Sequence, residues 1–171
     1  MADAETVVVE AKPASTVLMV RDGAQGLEVF MVVRHRKIDF AGGALVFPGG
    51  KIDPEDSGPA LIARCAKVDG LDTAAMALRV GAIRETFEEA GVLLARRRGS
   101  ADLVSGADFE AISAKYRGDL HGSKIGMIEI VEAEDLELAC DLLAPFAHWI
   151  TPVQVRRRFD THFFVIPAPV A

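Results

Sequence analysis

Three carboxylates stand at i, i+3 and i+4 in the stretch Arg84-Glu85-Thr86-Phe87-Glu88-Glu89-Ala90-Gly91-Val92. At about 100° per helical residue, Glu85, Glu88 and Glu89 share one arc of roughly 100°. Like charges four residues apart weaken a helix by about 0.2–0.5 kcal/mol, so Glu85 facing Glu89 calls for a partner. A hard divalent cation suits the role, because it takes carboxylate oxygen together with water and substrate phosphate. Arg84 adds a guanidinium able to fix a carboxylate by charge-assisted hydrogen bonds. The chemistry indicated is metal-assisted work on phosphate. An isolated E-x-x-E-E is more often a solvated helix face, and the residues upstream are what favour the metal site.

The elements that must position these groups can be read outward from them. With Phe87 at zero on a helical wheel, Val80, Ile83, Ala90 and Leu94 fall within roughly 60° of it, opposite the acids. Asp72 or Thr73 is a suitable N-cap, which predicts a helix to about Leu94, with Gly91 ending its regular part. Arg96-Arg97-Arg98 would then place cations at the negative end of the helix dipole. Upstream, the apolar run Ala44-Leu45-Val46 predicts a strand that ends in a turn at Phe47-Pro48-Gly49-Gly50-Lys51, where paired glycines allow close backbone approach to a ligand.

Together the two segments resemble the Nudix box, G-x5-E-x7-R-E-U-x-E-E-x-G-U, in which U is a bulky apolar residue. Gly50 matches the first glycine, and Arg84, Glu85, Glu88, Glu89, Gly91 and Val92 match the second half. Counting five residues on from Gly50 reaches Asp56 in place of the first glutamate, with Glu55 one position earlier. Residues 57–83 separate Asp56 from Arg84, an insertion of 20 relative to the seven of the box, and Thr86 stands at a bulky aliphatic position. The resemblance implies a metal-dependent diphosphate hydrolase using Mg²⁺ or Mn²⁺. Glu88 and Glu89 would be the main ligands. Glu85 would be a further ligand or the proton acceptor, Arg84 would hold a glutamate, and the Gly50 carbonyl and Asp56 would complete the metal site. Arg34, Gly43 and Phe47-Pro48-Gly49-Gly50 also match part of the upstream signature of coenzyme A-cleaving relatives, while His35 and Asp39 depart from it. The pattern is most similar to the peroxisomal coenzyme A diphosphatase-like branch and its bacterial relatives. It implies substrate contacts at Arg34, Arg36, Phe47 and Gly49, although Arg34, Arg36 and Lys37 would equally suit a solvated basic turn. Coenzyme A or an acyl derivative is the leading substrate. A dinucleotide or nucleotide-sugar pyrophosphatase, or a non-catalytic nucleotide-binding module, are the alternatives.

Composition is compatible with that reading. At 171 residues the chain suits a single domain spanning 1–171, with half its residues apolar and about a quarter charged. A net charge of −6 gives no electrostatic case for nucleic acid. No run reaches the roughly 18 apolar residues of a membrane span. The N-terminus is unlike a signal peptide, no peroxisomal tripeptide ends the sequence, and Cys65 and Cys140 lie in contexts that suit buried thiols, so a cytoplasmic setting is expected. The four histidines, His35, His121, His148 and His162, show no ligand spacing along the sequence.

The expected fold is α/β, a Nudix α/β/α sandwich around a mixed sheet. A hairpin is predicted from Ser15–Arg21 and Leu27–Arg34 around the turn at residues 22–26. Helical insertions are expected at about 57–72 and 99–143. The latter would comprise Asp108–Tyr116, Ile125–Val131 and Asp135–Leu143. Strands follow at Phe146–Thr151 and Arg158–Ile166, with Phe146 and Trp149 expected in the core. The resemblance implies a further strand and helix after Ile166, so the sheet would be completed beyond this chain or closed through a partner such as a second copy.

Overall fold

The computed structural model describes residues 9–33 and 43–169. The upstream segment carrying Arg34, His35, Arg36, Lys37 and Asp39 lies outside the described residues. The chain begins with strands β1 (Lys12–Gly23), β2 (Gly26–Val29), β3 (Val32–Val33), β4 (Leu45–Val46) and β5 (Gly49–Lys51). A 3-10 turn at Pro54–Ser57 leads to the short helix α1 (Pro59–Ile62) and the long helix α2 (Thr73–Ala90). Next come β6 (Ala95–Arg97), α3 (Gly106–His121), α4 (Met127–Ala133) and β7 (Leu136–Leu138). A second 3-10 turn (Cys140–Leu142) precedes β8 (Ala144–Ile150) and β9 (Phe159–Pro167).

The main sheet is mixed, in the order β2-β1-β9-β8, with β5 also paired to β1. β1 and β9 run parallel, and the other pairings are antiparallel. Side chains alternate across a strand, so Val17 and Met19 of β1 share a face with Phe164 and Ile166 of β9. These four are buried, and α2 covers them with Val80, Ile83 and Phe87, each with no exposed surface. Burying Phe87 alone contributes about 2–3 kcal/mol. The stripe expected behind the acids is therefore the part of the helix that seats it on the sheet.

The boundaries of α2 follow its caps. Asp72 Oδ1 accepts a hydrogen bond from the Ala75 amide at 2.8 Å, and Gly91 sits in the left-handed region at φ 67°, its amide donating back to the Phe87 carbonyl at 3.0 Å. The helix therefore stops at Ala90 and not near Leu94. Leu94 still joins the core, from the loop beyond it. Thr86 is buried, its hydroxyl donating to the Ala82 carbonyl at 2.7 Å, which satisfies the polar atom in a position suited to a larger apolar side chain.

Several local expectations are corrected. Gly49 and Gly50 do not form a turn; they lie in β5, with Gly50 opposite Ser15 and Gly49 opposite Thr16. The predicted strand 27–34 is broken at Phe30-Met31, because β2 pairs with β1 whereas β3 pairs with β4. Residues 57–72 contain one helical turn, Pro59–Ile62, and little other helix. Arg96 and Arg97 belong to β6, paired with β7, which replaces the first part of the helix expected at 135–143. Their cations are used in ion pairs to Asp141 and to Asp108 with Glu134. Trp149 and Phe146 are 71% and 64% exposed. Trp149 lies opposite Thr161, on the sheet face away from α2, where Leu27 and Val29 are exposed as well. Cys65 and Cys140 are buried free thiols, as their apolar settings suggested, and the Cys140 thiol is pushed up by its neighbour Cys65 and by burial.

Candidate active site

The site is organised around Arg84, whose side chain is almost wholly buried. Its Nε donates to Asp56 Oδ1 and its Nη2 to Asp56 Oδ2, both at 2.9 Å, a two-pronged arrangement in which guanidinium matches carboxylate. Nη2 also reaches the Lys51 carbonyl at 2.9 Å. Nη1 donates to Glu85 Oε1 at 3.1 Å and to Glu88 Oε1 at 3.0 Å. One guanidinium thus ties the helix to β5 and to the 3-10 turn while aligning two of its acids. Buried among these carboxylates, Arg84 is held protonated by Asp56, Glu85 and Glu88 against the cost of its own desolvation.

Asp56 is itself completely buried. Besides Arg84, its Oδ2 accepts the Asp53 amide at 2.8 Å, so both of its oxygens are engaged with protein donors. The position reached by counting from Gly50 is therefore spatially attached to Arg84, across 28 residues of sequence. Glu55 is exposed and directed elsewhere: a Cβ added at Gly126 would stand 2.7 Å from its Oε2.

The glycines of β5 are explained by close approach. A Cβ at Gly50 would lie 2.4 Å from Glu85 Oε1, and one at Gly49 would lie 2.3 Å from the Ser15 carbonyl. Only a residue without a side chain lets the strand pass beneath the acids. The Gly49 amide donates to Glu89 Oε2 at 3.0 Å. Glu85 and Glu89 thus lie over β5, and Glu88 is joined to Glu85 through Arg84. Burial, opposed by Arg84 and reinforced by the Glu88 and Glu89 charges, pushes the Glu85 carboxyl up to about 7. Such a displacement marks an excess of negative charge in a poorly solvated place.

Arg117 of α3 was not singled out by the sequence pattern, since the predicted helix ended at Tyr116. Its Nε donates to the carbonyls of Phe87 (3.0 Å) and Glu88 (3.2 Å), and its Nη2 to those of Glu88 and Glu89 (3.1 Å each). The cation at the negative end of α2 is thus Arg117, supplied by another helix, and not Arg96–Arg98. Beside it opens a groove of about 820 Å³, bounded by Glu88, Glu89 and Arg117 and, on its apolar side, by Val33, Val46 and Phe109. Among the site residues expected from sequence, the structure brings together Arg84, Glu85, Glu88, Glu89, Gly49, Gly50 and Asp56. Phe47 is half-buried just before β5, and Arg34 and Arg36 fall outside the described residues.

A family model described as the NUDT19 Nudix domain matches residues 59–168. The chain belongs to that Nudix family. Within it, the match begins after Gly50 and Asp56, so the inserted segment and the helix carry the likeness and the strand β5 precedes it. The chain is 29% identical over 181 residues to the acyl-coenzyme A diphosphatase NUDT19 of Xenopus laevis, covering 81% of this chain and 46% of that protein. It is 29% identical over 189 residues to the human protein of the same name, covering 86% of this chain and 50% of that one. The chain spans about half the length of these relatives. Among solved structures, a NUDIX hydrolase from Alicyclobacillus acidocaldarius superposes with a TM-score of 0.72 at 31% identity, over 95% of this chain and 72% of that one. The α/β fold and the likeness to the coenzyme A diphosphatase-like branch, both expected from the box and the Phe47-Pro48-Gly49-Gly50 segment, are borne out. Among the described residues no helix is long and apolar enough to cross a membrane.

Proposed function

We propose that this Nudix domain hydrolyses the diphosphate bond of coenzyme A or an acyl derivative with the aid of Mg²⁺ or Mn²⁺. The observation that carries the reading is the placement of Glu85, Glu88 and Glu89 on one helix face beside the side-chain-free strand at Gly49-Gly50, with Arg84 engaging only part of their charge. This donor set fits a hard cation: it is all oxygen, it is anionic in excess, and the burial-driven rise of Glu85 is what an added positive charge would relieve. Glu88 and Glu89 would hold the ion. When bound, it supplies Lewis-acid polarisation of a phosphoryl oxygen.

The chain's own residues do the rest. Glu85 accepts the proton of the attacking water as general base. The water oxygen forms a bond to phosphorus, the bridging P–O bond breaks, and two phosphate monoesters leave. Arg84 positions Glu85 and Glu88. We assign Asp56 to holding Arg84 and not to the ion, because its oxygens are already engaged. The groove beside Glu88 and Glu89 is lined by Arg117 and by Val33, Val46 and Phe109, which suits a substrate with a charged diphosphate and an apolar arm. The names of the matched relatives support the same substrate class.

Incubation with Mg²⁺ and coenzyme A, followed by mass spectrometry, tests the reading. Release of 4′-phosphopantetheine with adenosine 3′,5′-bisphosphate is expected. Cleavage of dinucleotides or nucleotide sugars instead would reassign the substrate. Binding without cleavage of any diphosphate would make the domain a sensor.

A further inference from the structure

A cluster of metal-ligand side chains lies at the far edge of the sheet, on the face that α2 covers. In the β8–β9 ladder, His148 is directly opposite His162, and their rings stack with centroids 4.1 Å apart at 19°. Asp160, two residues before His162, projects to the same side. His148 Nε2 contacts Asp160 Oδ1, and His162 Nε2 stands 3.9 Å from that oxygen. One ligand atom from each of the three lies within 4.8 Å of the others. Ligands about 2.0–2.2 Å from a tetrahedral ion are roughly 3–3.5 Å apart, so small rotations of these side chains would suffice. The side chains are 36–48% exposed, which leaves an entry path and room for a non-protein ligand.

Two buried polar residues lie on neighbouring positions. Ser15 is the β1 register partner of His162 and wholly buried, and its Oγ has no hydrogen-bond partner among the described residues. The same holds for Nε of buried Arg79, whose guanidinium lies over the Phe164 ring at 5.0 Å. Arg79 opposes a cation here and Asp160 favours it. Because Ser15 pairs with Gly50 on its other side, His162 is two strand spacings, about 10 Å, from that glycine. No carboxylate of α2 belongs to this group of ligand atoms.

We propose that His148, Asp160 and His162 form a transition-metal site, with Zn²⁺ as the fitting ion, separate from the carboxylates of α2. Two imidazole nitrogens and one carboxylate suit Zn²⁺ and its first-row neighbours and not Mg²⁺. The two sites thus sort metals by ligand chemistry. An ion bound here would pin the edge strand β8 to β9, whose register is interrupted between Pro145 and Ala147.

The test is calorimetric titration of Zn²⁺, in excess Mg²⁺, into a Glu88→Gln/Glu89→Gln double variant, which weakens competition from α2. Uptake of one equivalent is expected. Adding His148→Ala, on an exposed edge strand, should weaken it by at least about tenfold, the lower end of what outer-shell partners are worth, with unchanged circular dichroism. Co²⁺ in the same site should give visible bands that His162→Ala abolishes. No Zn²⁺ uptake by the double variant, or uptake undiminished by His148→Ala, would overturn the proposal.

Discussion

Arg84 and Arg117 both attach α2 to the rest of the chain, and they do so by different electrostatics. Arg84 is buried and meets full charges: Asp56 by two prongs, then Glu85 and Glu88. Arg117 meets only partial charges, the carbonyl oxygens of Phe87, Glu88 and Glu89 at the end of the helix. A buried ion pair leaves an uncompensated charge when one member is lost. A cap lost from a helix end leaves carbonyls that water can reach. The first attachment therefore fixes the chemistry of the acid face and the second mainly its boundary.

The strongest way to break that contrast is Arg84→Met. It strands Asp56 in a buried place and should destabilise the protein by about 3–5 kcal/mol, read as a lowered midpoint in urea; a loss no larger than that of Arg117→Ala would erase the distinction. Glu89→Gln comes next. It keeps size and shape, so folding should be unchanged while turnover of a coenzyme A diphosphate falls by roughly 100-fold or more, comparable to losing one electrostatic group at a reacting centre. Retained turnover would remove Glu89 from the proposed site.

The Glu85 carboxyl gives a pH test with a defined sign. Its folded value of about 7 lies above the unfolded 4.5, so the folded state binds the extra proton between these values. The associated stability is present below pH 4.5 and lost as pH rises through 7. Metal-free protein should lose up to about 3 kcal/mol over that range, and Glu85→Gln should flatten the dependence. An equal slope in the variant would refute the assignment. Mg²⁺ should restore stability at the alkaline end. The smallest effect belongs to Arg117→Ala, about 1 kcal/mol, with hydrogen exchange accelerated in the last turn of α2 and little change toward Asp72.

Much of this was legible beforehand for reasons of local geometry. The acid face, its apolar back at Val80, Ile83 and Phe87, the Asp72 cap and the Gly91 stop all depend on residues within a few turns of one another. The errors occur where partners are distant. Gly49-Gly50 reads as a turn in isolation, and becomes a strand because it pairs with β1, which passes close enough to exclude a Cβ at Gly49. Arg96 and Arg97 read as a helix cap, and become strand residues because β7 lies beside them. His148 and His162 show no ligand spacing because their closeness is a register across two strands.

The sequence by itself determined that a helix would present Glu85, Glu88 and Glu89 on one side and a buried stripe on the other, since helical period converts spacing directly into direction. Only the tertiary structure decided what those acids meet. It delivered Asp56 to Arg84 across 28 residues, set Gly50 under Glu85, and brought Arg117 from α3 to the helix end. Those pairings are chosen by packing of the whole core, in which each contact's worth depends on burial that no short stretch of sequence specifies.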